Sequence, residues 1–238
     1  MKIAFISDIH GNATALESVL KDINQRSVDK IFVLGDICYR GLEPQRSLDL
    51  VRSLDTQVIK GNADEWVIRG VREGEVPDSA IEIMNQERDW TYSKLDDESI
   101  QYLKDLPEEL KLEFGNVKIH AFHATPDNLF NVVHPFESDE TMIAKQMGVE
   151  AGIYLYAHIH KPFIRYINGK CIINIGSVGL PFDGVRKSSY ALVDIDGDSF
   201  QTSIVRVGYD VENVINELLE SDYPNKELLN KVLLNAKI

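Results

Sequence analysis

The chain has 238 residues, of which 44% are apolar, and this is enough to bury a substantial core. Its 38 acidic and 25 basic residues give a formal net charge of -13. A chain of this charge repels polyanions and has no basic stripe for a phosphate backbone, which excludes long nucleic acid as a partner. No apolar stretch reaches transmembrane length, so we expect no membrane association.

The linkers, the first apolar run and the cysteines indicate the domain organisation and the cellular compartment. No Pro/Gly/Ser-rich linker and no fixed-period repeat divides the sequence, so we expect a single domain over residues 1–238. The apolar run before Asp8 is too short for a secretory signal. Cys38 and Cys171 are far apart and lack metal-type spacing, which suits a reducing compartment. The expected location is cytoplasmic.

The first third of the chain alternates strands with helices. An apolar β-rich run at residues 2–7 precedes a helix in which Leu16, Val19 and Ile23 lie on one face. Further apolar runs at residues 31–34 and 57–59 enclose a second helical segment. The order βαβαβ favours a parallel sheet with right-handed crossovers.

The remaining elements begin with a helical insert at about 79–106, which we expect to cap a crevice. After Pro107 the pattern returns to strands, with hairpin-type turns at Gly115-Asn116, Asn168-Gly169 and Asp196-Gly197. A helical C-terminal tail starts at about residue 210. The segments between the insert and the tail are strands at 109–114, 117–122, 153–156, 163–167, 171–175, 190–195 and 199–207, and a helix at 138–147.

Four short polar signatures follow the ends of predicted strands. They are Asp8-Ile9-His10, Gly35-Asp36, Gly61-Asn62 and His158-Ile159-His160. In an open α/β sheet the loops beyond the strand carboxyl ends face one crevice, so these side chains should meet. Carboxylates, imidazoles and an Asn oxygen are ligands for divalent ions such as Mn, Fe and Zn. The pattern therefore predicts a two-metal site.

These residues resemble the calcineurin-like metallophosphoesterases, whose pattern is D-x-H, G-D, G-N-x-D/E, a strand-terminal His and G-H-x-H. This chain has Asp8-Ile9-His10, Gly35-Asp36, Gly61-Asn62-Ala63-Asp64, His123 and Ala157-His158-Ile159-His160. The resemblance covers residues 2 to about 207. It implies an α/β fold, a four-layer α/β/β/α sandwich of two mixed sheets flanked by helices. The compact prokaryotic members, which include phosphodiesterases and dinucleoside polyphosphate hydrolases, are the most similar.

The resemblance also implies a role for each ligand. Asp8, His10 and His160 would hold the first metal ion, and Asp36 would bridge the two ions. The second ion would be held by Asn62, His123 and His158. Mn²⁺ or Fe is the expected metal, with Zn²⁺, Ni²⁺, Co²⁺ or Mg²⁺ as alternatives. A metal-bridged hydroxide would attack phosphorus in line, with Asp36, Asn62 and His123 as the catalytic residues.

The proton donor to the leaving group is an open question. Many family members have His after the Gly-Asn pair, and Ala63 occupies that position here. Either the substrate has an acidic leaving group or another donor acts, and His134 is the candidate, with an ordinary loop histidine as the alternative. His120 could in principle replace His123 as a ligand. Strand alternation favours His123, which stands at the strand end.

Three further side chains are candidate substrate contacts. Arg40 and Arg186 could bind phosphate oxygens as a bidentate fork, or could have ordinary surface roles. Asn12 stands one turn after His10, where it could face a phosphate, and it could equally cap the first helix.

The expected function is a phosphodiesterase acting on small phosphodiesters or nucleotide phosphoanhydrides. The expected partner is a small phosphorylated substrate, such as a nucleotide or a dinucleoside polyphosphate, and the oligomeric state is left open. The alternative is a non-catalytic metal-binding scaffold or interaction module on the same fold, of the kind that arises when ligands are lost. Because every expected ligand is present in this chain, the enzyme is favoured.

Overall fold

A computed structural model describes residues 1–237 and contains two β-sheets with helices around them. The strands are β1 (Lys2–Ile6), β2 (Lys30–Val33), β3 (Glu109–Phe114), β4 (Val117–Phe122), β5 (Ile153–Tyr156), β6 (Phe163–Ile167), β7 (Lys170–Asn174), β8 (Ser188–Asp196) and β9 (Ser199–Val207). The helices are α1 (Ala13–Gln25), α2 (Pro44–Ser53), α3 (Asn62–Arg69), α4 (Asp78–Ser93), α5 (Asp97–Asp105), α6 (Asp139–Gln146), α7 (Val211–Glu220) and α8 (Lys226–Asn235).

Both sheets are mixed. The first has the strand order β2-β1-β8-β9, in which β1 pairs with β2 in parallel and with β8 antiparallel. The second has the order β3-β4-β5-β7-β6, with parallel pairing of β4, β5 and β7 and antiparallel edges. The parallel strands β1 and β2 of the first sheet and β4 and β5 of the second bring the loops that follow them together.

The layers follow from the alternation of side chains along the strands. In β1, Ile3 and Phe5 point into a core shared with the second sheet, where they join Ile119, Leu155 and Ile173. Ala4 and Ile6 face the other way and pack with the apolar face of α1. The outer face of the second sheet packs on α6, where Tyr154 and Met142 belong to one buried cluster. The α/β/β/α sandwich that the resemblance implied is confirmed.

The predicted strand at 57–59 is reduced to a single bridge between Val33 and Val58. Pairing ends there because the chain turns at Gly61 into α3, a helix that sequence reasoning missed. The predicted helical insert is two helices, α4 and α5, and the predicted tail is α7 and α8, which pack against each other and against Leu180. Within residues 1–237, none of the helices combines the length and apolar character needed to span a bilayer.

Candidate metal centre

The loops that follow the central strands carry the predicted ligands to one buried place. Asp8 and His10 follow β1, Asp36 follows β2, His123 follows β4 and His158 follows β5. His160 comes two residues later, and Asn62 is the first residue of α3. All but one of these seven side chains lie in residues that are at most 6% exposed. The exception is His158, which borders an open cleft.

The first group of ligands consists of Asp8, His10, Asp36 and His160. One ligand atom from each lies within 4.8 Å of the others. The Nε2 of His160 is 3.0 Å from Asp8 Oδ1 and 3.1 Å from the Nε2 of His10. His10 Nε2 is 3.7 Å from a carboxylate oxygen of Asp8 and 3.7 Å from Asp36 Oδ2. Four donors of this type so close together form a candidate site for one divalent cation.

The second group centres on Asn62. Its Oδ1 lies 2.9 Å from His123 Nε2 and 2.7 Å from His158 Nδ1. Asp36 connects the two groups, because its Oδ2 is 3.3 Å from His123 Nε2 and 3.7 Å from His10 Nε2. Its Oδ1 accepts a hydrogen bond of 2.8 Å from the backbone N–H of Ala63, which fixes the carboxylate plane. The structure thus brings all seven predicted ligands together.

Backbone carbonyls orient three of the imidazoles. The Nδ1 of His10 donates to Tyr39 O at 2.8 Å and that of His123 donates to Leu34 O at 2.7 Å. His160 Nδ1 donates in the same way to Leu180 O. These hydrogen bonds direct each Nε2 at the centre and keep the Nδ1 proton in place, so that in the neutral imidazole Nε2 is the nitrogen free to bind a metal, the arrangement that tightens metal binding by histidine.

The backbone of the site is strained. Of the ten non-glycine residues with positive φ in residues 1–237, five are predicted ligands, with φ between 50° and 67°. Each such residue costs on the order of 1–3 kcal/mol and persists only where its surroundings hold it. The five are Asp8, His10, Asp36, His158 and His160.

Asp64 and two glycines hold the loop that carries Asp36. The Asp64 carboxylate accepts from the backbone N–H of Asp36 at 2.7 Å, Ile37 at 2.9 Å and Gly61 at 2.9 Å. A Cβ on Gly61 would lie 2.0 Å from Asp36 Oδ1, and a Cβ on Gly35 would lie 2.3 Å from the backbone nitrogen of Gly61. Glycine at these positions allows the two loops to touch.

The electrostatics of the two groups are coupled. Burial disfavours the ionised form of Asp8, but the facing His160 and His10 outweigh it and hold the pKa of Asp8 well below its usual range. Burial also opposes charge on His123, yet Asp36 raises the pKa of His123 to about 9. Burial and the charge on His123 lower the pKa of His158 to about 4. One imidazole of the second group is therefore protonated and the other neutral.

These residues fit divalent cations. Asp8 Oδ1 is buried and has no hydrogen-bond partner within residues 1–237, although a buried carboxylate oxygen requires one. The donors are carboxylate oxygen, amide oxygen and imidazole nitrogen, which Mn²⁺, Fe²⁺ and Zn²⁺ all accept. A cation at this position would give Asp8 Oδ1 a partner and compensate the buried negative charge.

The three predicted substrate contacts are already engaged within the protein. Asn12 caps α1 by accepting from Ala15 N at 3.0 Å, and its Nδ2 donates to Gly179 O at 3.1 Å. Arg40 pairs with the buried Glu87 at 2.8 Å. Arg186 pairs at 2.6 Å with Glu212 of α7. The cap formed by Asn12 and the exposed ion pair of Arg186 match the structural alternatives for these two residues, whereas Arg40 is held by a buried carboxylate and has no ordinary surface role. Binding of substrate by all three remains a prediction.

The two remaining histidines occupy different environments. His120 pairs with Glu109 at 2.7 Å on the other face of β4 and does not join the ligand groups. His134 lines a cleft of about 610 Å³ together with His158, Lys161 and Lys237. Sequence reasoning did not identify the two lysines, because nothing in their local sequence marks them.

The comparisons with known proteins agree with this geometry. The calcineurin-like phosphoesterase superfamily domain matches residues 1–198, and the chain belongs to this family. It is 32% identical to an uncharacterized protein of Methanocaldococcus jannaschii, with 93% of each chain covered. It is similar to the crystal structure of a metallophosphoesterase from Sphaerobacter thermophilus, with 27% identity, a TM-score of 0.79 and 99% of each chain covered.

A hypothetical protein of Pyrococcus horikoshii OT3 has the same fold, with a TM-score of 0.85, 22% identity, and 100% of this chain and 99% of that one covered. The chain is accordingly a phosphoesterase of the metal-dependent type, with a candidate metal-binding cluster at the expected place.

Proposed function

We propose that this protein is a dinuclear metal-dependent phosphodiesterase that hydrolyses small phosphodiesters or nucleotide phosphoanhydrides. The observation that carries the proposal is the position of Asp36 Oδ2, which lies 3.7 Å from His10 Nε2 in the first ligand group and 3.3 Å from His123 Nε2 in the second. Two cations held close together repel strongly, so an anionic oxygen between them is what such a site needs.

When bound, two such cations would act as Lewis acids on the phosphoryl group and would lower the pKa of a coordinated water molecule. The chain's own residues fix the geometry. Asp36 keeps one oxygen between the ligand groups because the backbone N–H of Ala63 holds the other. His123, which follows β4, contacts both Asp36 and Asn62, and Asp64 stabilises the turn beneath Asp36 through three backbone N–H groups.

The residue at position 63 bears on the reaction class. Ala63 is buried and its methyl group cannot protonate a leaving oxygen. A substrate with an acidic leaving group, such as a phosphoanhydride or an aryl ester, needs no donor. For an alkyl leaving group we assign the donor role to His134, which lines the cleft with His158 and whose Nδ1 is buried with no hydrogen-bond partner within residues 1–237.

The substrate we propose is a small phosphorylated molecule of the nucleotide or dinucleotide class, because the cleft beside His158 has the volume of a small-molecule site. Mn²⁺ or Fe²⁺ is the proposed metal. A cytoplasmic location is consistent with two free, buried cysteines, Cys38 and Cys171.

The test is hydrolysis of bis-p-nitrophenyl phosphate by the chelator-treated protein before and after addition of Mn²⁺. We expect turnover that depends on the metal. The matched control is Asp196→Asn, which alters an exposed carboxylate in the β8–β9 hairpin and should leave turnover unchanged. Metal binding without turnover on any phosphoester would instead support the scaffold alternative.

A further inference from the structure

The cleft beside the metal centre carries positive charge that no ion pair within residues 1–237 neutralises. Lys161 and Lys237 both line it and are both exposed. The lysines that form ion pairs within residues 1–237 are others, namely Lys60, Lys94, Lys111 and Lys170. The carboxylate in the cleft, Asp183, is paired with Arg206. Within residues 1–237, a chain with a net charge of -13 thus presents at one place two exposed lysines that have no ion-pair partner.

The cleft adjoins the metal centre. His158 belongs to the second ligand group, with its Nδ1 2.7 Å from Asn62 Oδ1, and it also lines the cleft. Phe182, another lining residue, stacks on the imidazole of His160 with ring centroids 4.2 Å apart. A ligand held by the two groups of metal ligands would therefore extend past His158 and Phe182 into the space between the lysines.

Lys237 is held in position by its surroundings. The carbonyl of Ala236 accepts from Gly184 N at 2.8 Å, which joins the end of α8 to the loop that contains Phe182. The side chain of Lys237 lies across Gly184, with its Cε 3.0 Å from the place a Cβ on Gly184 would occupy. Lys161 directly follows His160, whose backbone carbonyl accepts from Phe182 N at 3.2 Å, so Lys161 starts from the same side of the cleft as Phe182.

We propose that Lys161 and Lys237 form a binding subsite for a second phosphoryl group of the substrate. The subsite would select molecules that carry a phosphate beyond the one at the metal centre, such as a nucleoside diphosphate or a dinucleotide with an additional phosphate. Ammonium groups bind phosphate as point charges and suit an anion of variable orientation. This inference rests on the proposed function for the phosphate at the metal centre. The binding of a second phosphate by the two lysines does not depend on it.

The first experiment measures binding. Adenosine α,β-methylenediphosphate and adenosine monophosphate are titrated calorimetrically into the protein, with Mn²⁺ and after metal removal. In Lys161→Gln/Lys237→Gln we expect the Kd of the diphosphate analogue to rise about 10-fold or more, and that of the monophosphate about 2-fold, because each lost charged contact costs about one tenfold step. Lys231→Gln, an exposed lysine on α8, is the matched control and should behave as the parent.

The second experiment measures turnover with two chromogenic substrates that share one scissile bond. They are thymidine 5′-(p-nitrophenyl phosphate) and the same molecule with a 3′-phosphate. The double variant should raise KM for the second substrate and leave its kcat unchanged, with little effect on the first.

The outcomes separate the two proposals. Equal affinity of parent and double variant for the diphosphate analogue would overturn the subsite, whatever the turnover. If the analogue binds through the lysines but no substrate is hydrolysed with metal, the subsite stands and the phosphodiesterase assignment fails. An equal loss of affinity for both nucleotides would mean general attraction of anions and would also overturn a second phosphoryl subsite.

Discussion

The metal centre and the cleft beside it differ in how their side chains are held. At the centre, five of the seven side chains stand on strained loops, three of the imidazoles are hydrogen-bonded to backbone carbonyls, and nearly all seven are buried. In the cleft, Lys161 and Lys237 are long and exposed, and neither has an ion-pair partner in the described part of the chain. The centre is thus built to hold one geometry, whereas the cleft presents exposed ammonium groups to a ligand. Changes at the centre should have large effects on metal and turnover, and changes in the cleft should mainly affect affinity.

The largest effect should come from Asp36→Asn. Asn tolerates the positive φ at this position, so the loop keeps its shape while the bridging charge is lost. We expect turnover of bis-p-nitrophenyl phosphate to fall about 10³-fold or more, since metal charge stabilisation is worth several kcal/mol. Thermal unfolding should show that the variant folds. If Asp36→Asn keeps most of the activity, Asp36 is not the bridge.

The next largest effect should come from His134, at the boundary between the two regions, and should depend on the leaving group of the substrate. His134→Ala should lower turnover of a dinucleotide, which has an alkoxide leaving group, about 10²-fold. Turnover of thymidine 5′-(p-nitrophenyl phosphate) should change little, because the aryl oxide needs no proton. Equal losses on both substrates would show that His134 has a structural role.

A smaller effect should come from a change that disturbs the packing of the ligand loops without removing a ligand. Gly61→Ala keeps every ligand, and alanine can adopt the extended backbone angles of this position. Its Cβ, however, would lie 2.0 Å from Asp36 Oδ1. We expect the affinity for Mn²⁺ to fall about 10- to 100-fold, the range seen when groups that support a ligand are changed. Gly152→Ala is the control, because its Cβ would have no neighbour nearer than 3.8 Å. Unchanged affinity in Gly61→Ala would mean that the loop is adaptable.

Metal uptake should release protons at the centre. In the metal-free protein Asp36 raises the pKa of His123 to about 9, so His123 is protonated at neutral pH and must lose its proton to bind a metal. The apparent affinity should therefore rise with pH, about tenfold per unit for the one proton displaced, and should level off above about pH 9. Calorimetry in buffers of different ionisation enthalpy counts the protons. No release at pH 7 would contradict a protonated His123.

The smallest effect is expected outside both regions. The guanidinium of Arg186 is paired with Glu212 of α7. Arg186→Gln should change the KM for thymidine 5′-(p-nitrophenyl phosphate) by less than about 2-fold, as is usual for an ion pair with an exposed partner. A larger rise in KM with unchanged kcat would restore Arg186 as a substrate contact.

The same contrast explains what the sequence could predict. Strands β3, β4 and β9 have the predicted bounds, because each adjoins a hairpin turn, at Gly115 or Gly197, that sets one of its ends locally. The seven ligands were recognisable for the same reason, since each belongs to a short motif at the end of an apolar run.

What sequence reasoning missed depends on distant partners. The start of α3 is stabilised by Asp64, whose carboxylate also accepts from Asp36 N, 28 residues earlier in the chain. The pairing of Arg40 with Glu87 crosses 47 residues. The cleft is assembled from residues as far apart as His134, Lys161 and Lys237, so no single stretch of sequence contains its signal.

The most direct test of the account is the number of metal ions that one chain binds. The chelator-treated protein is reloaded with Mn²⁺, and metal content is measured by mass spectrometry beside the electron paramagnetic resonance spectrum. We predict two ions per chain with the spectrum of a coupled pair about 3.5–4 Å apart, and one ion or none in Asp36→Asn. A single uncoupled ion in the parent protein would contradict the dinuclear centre.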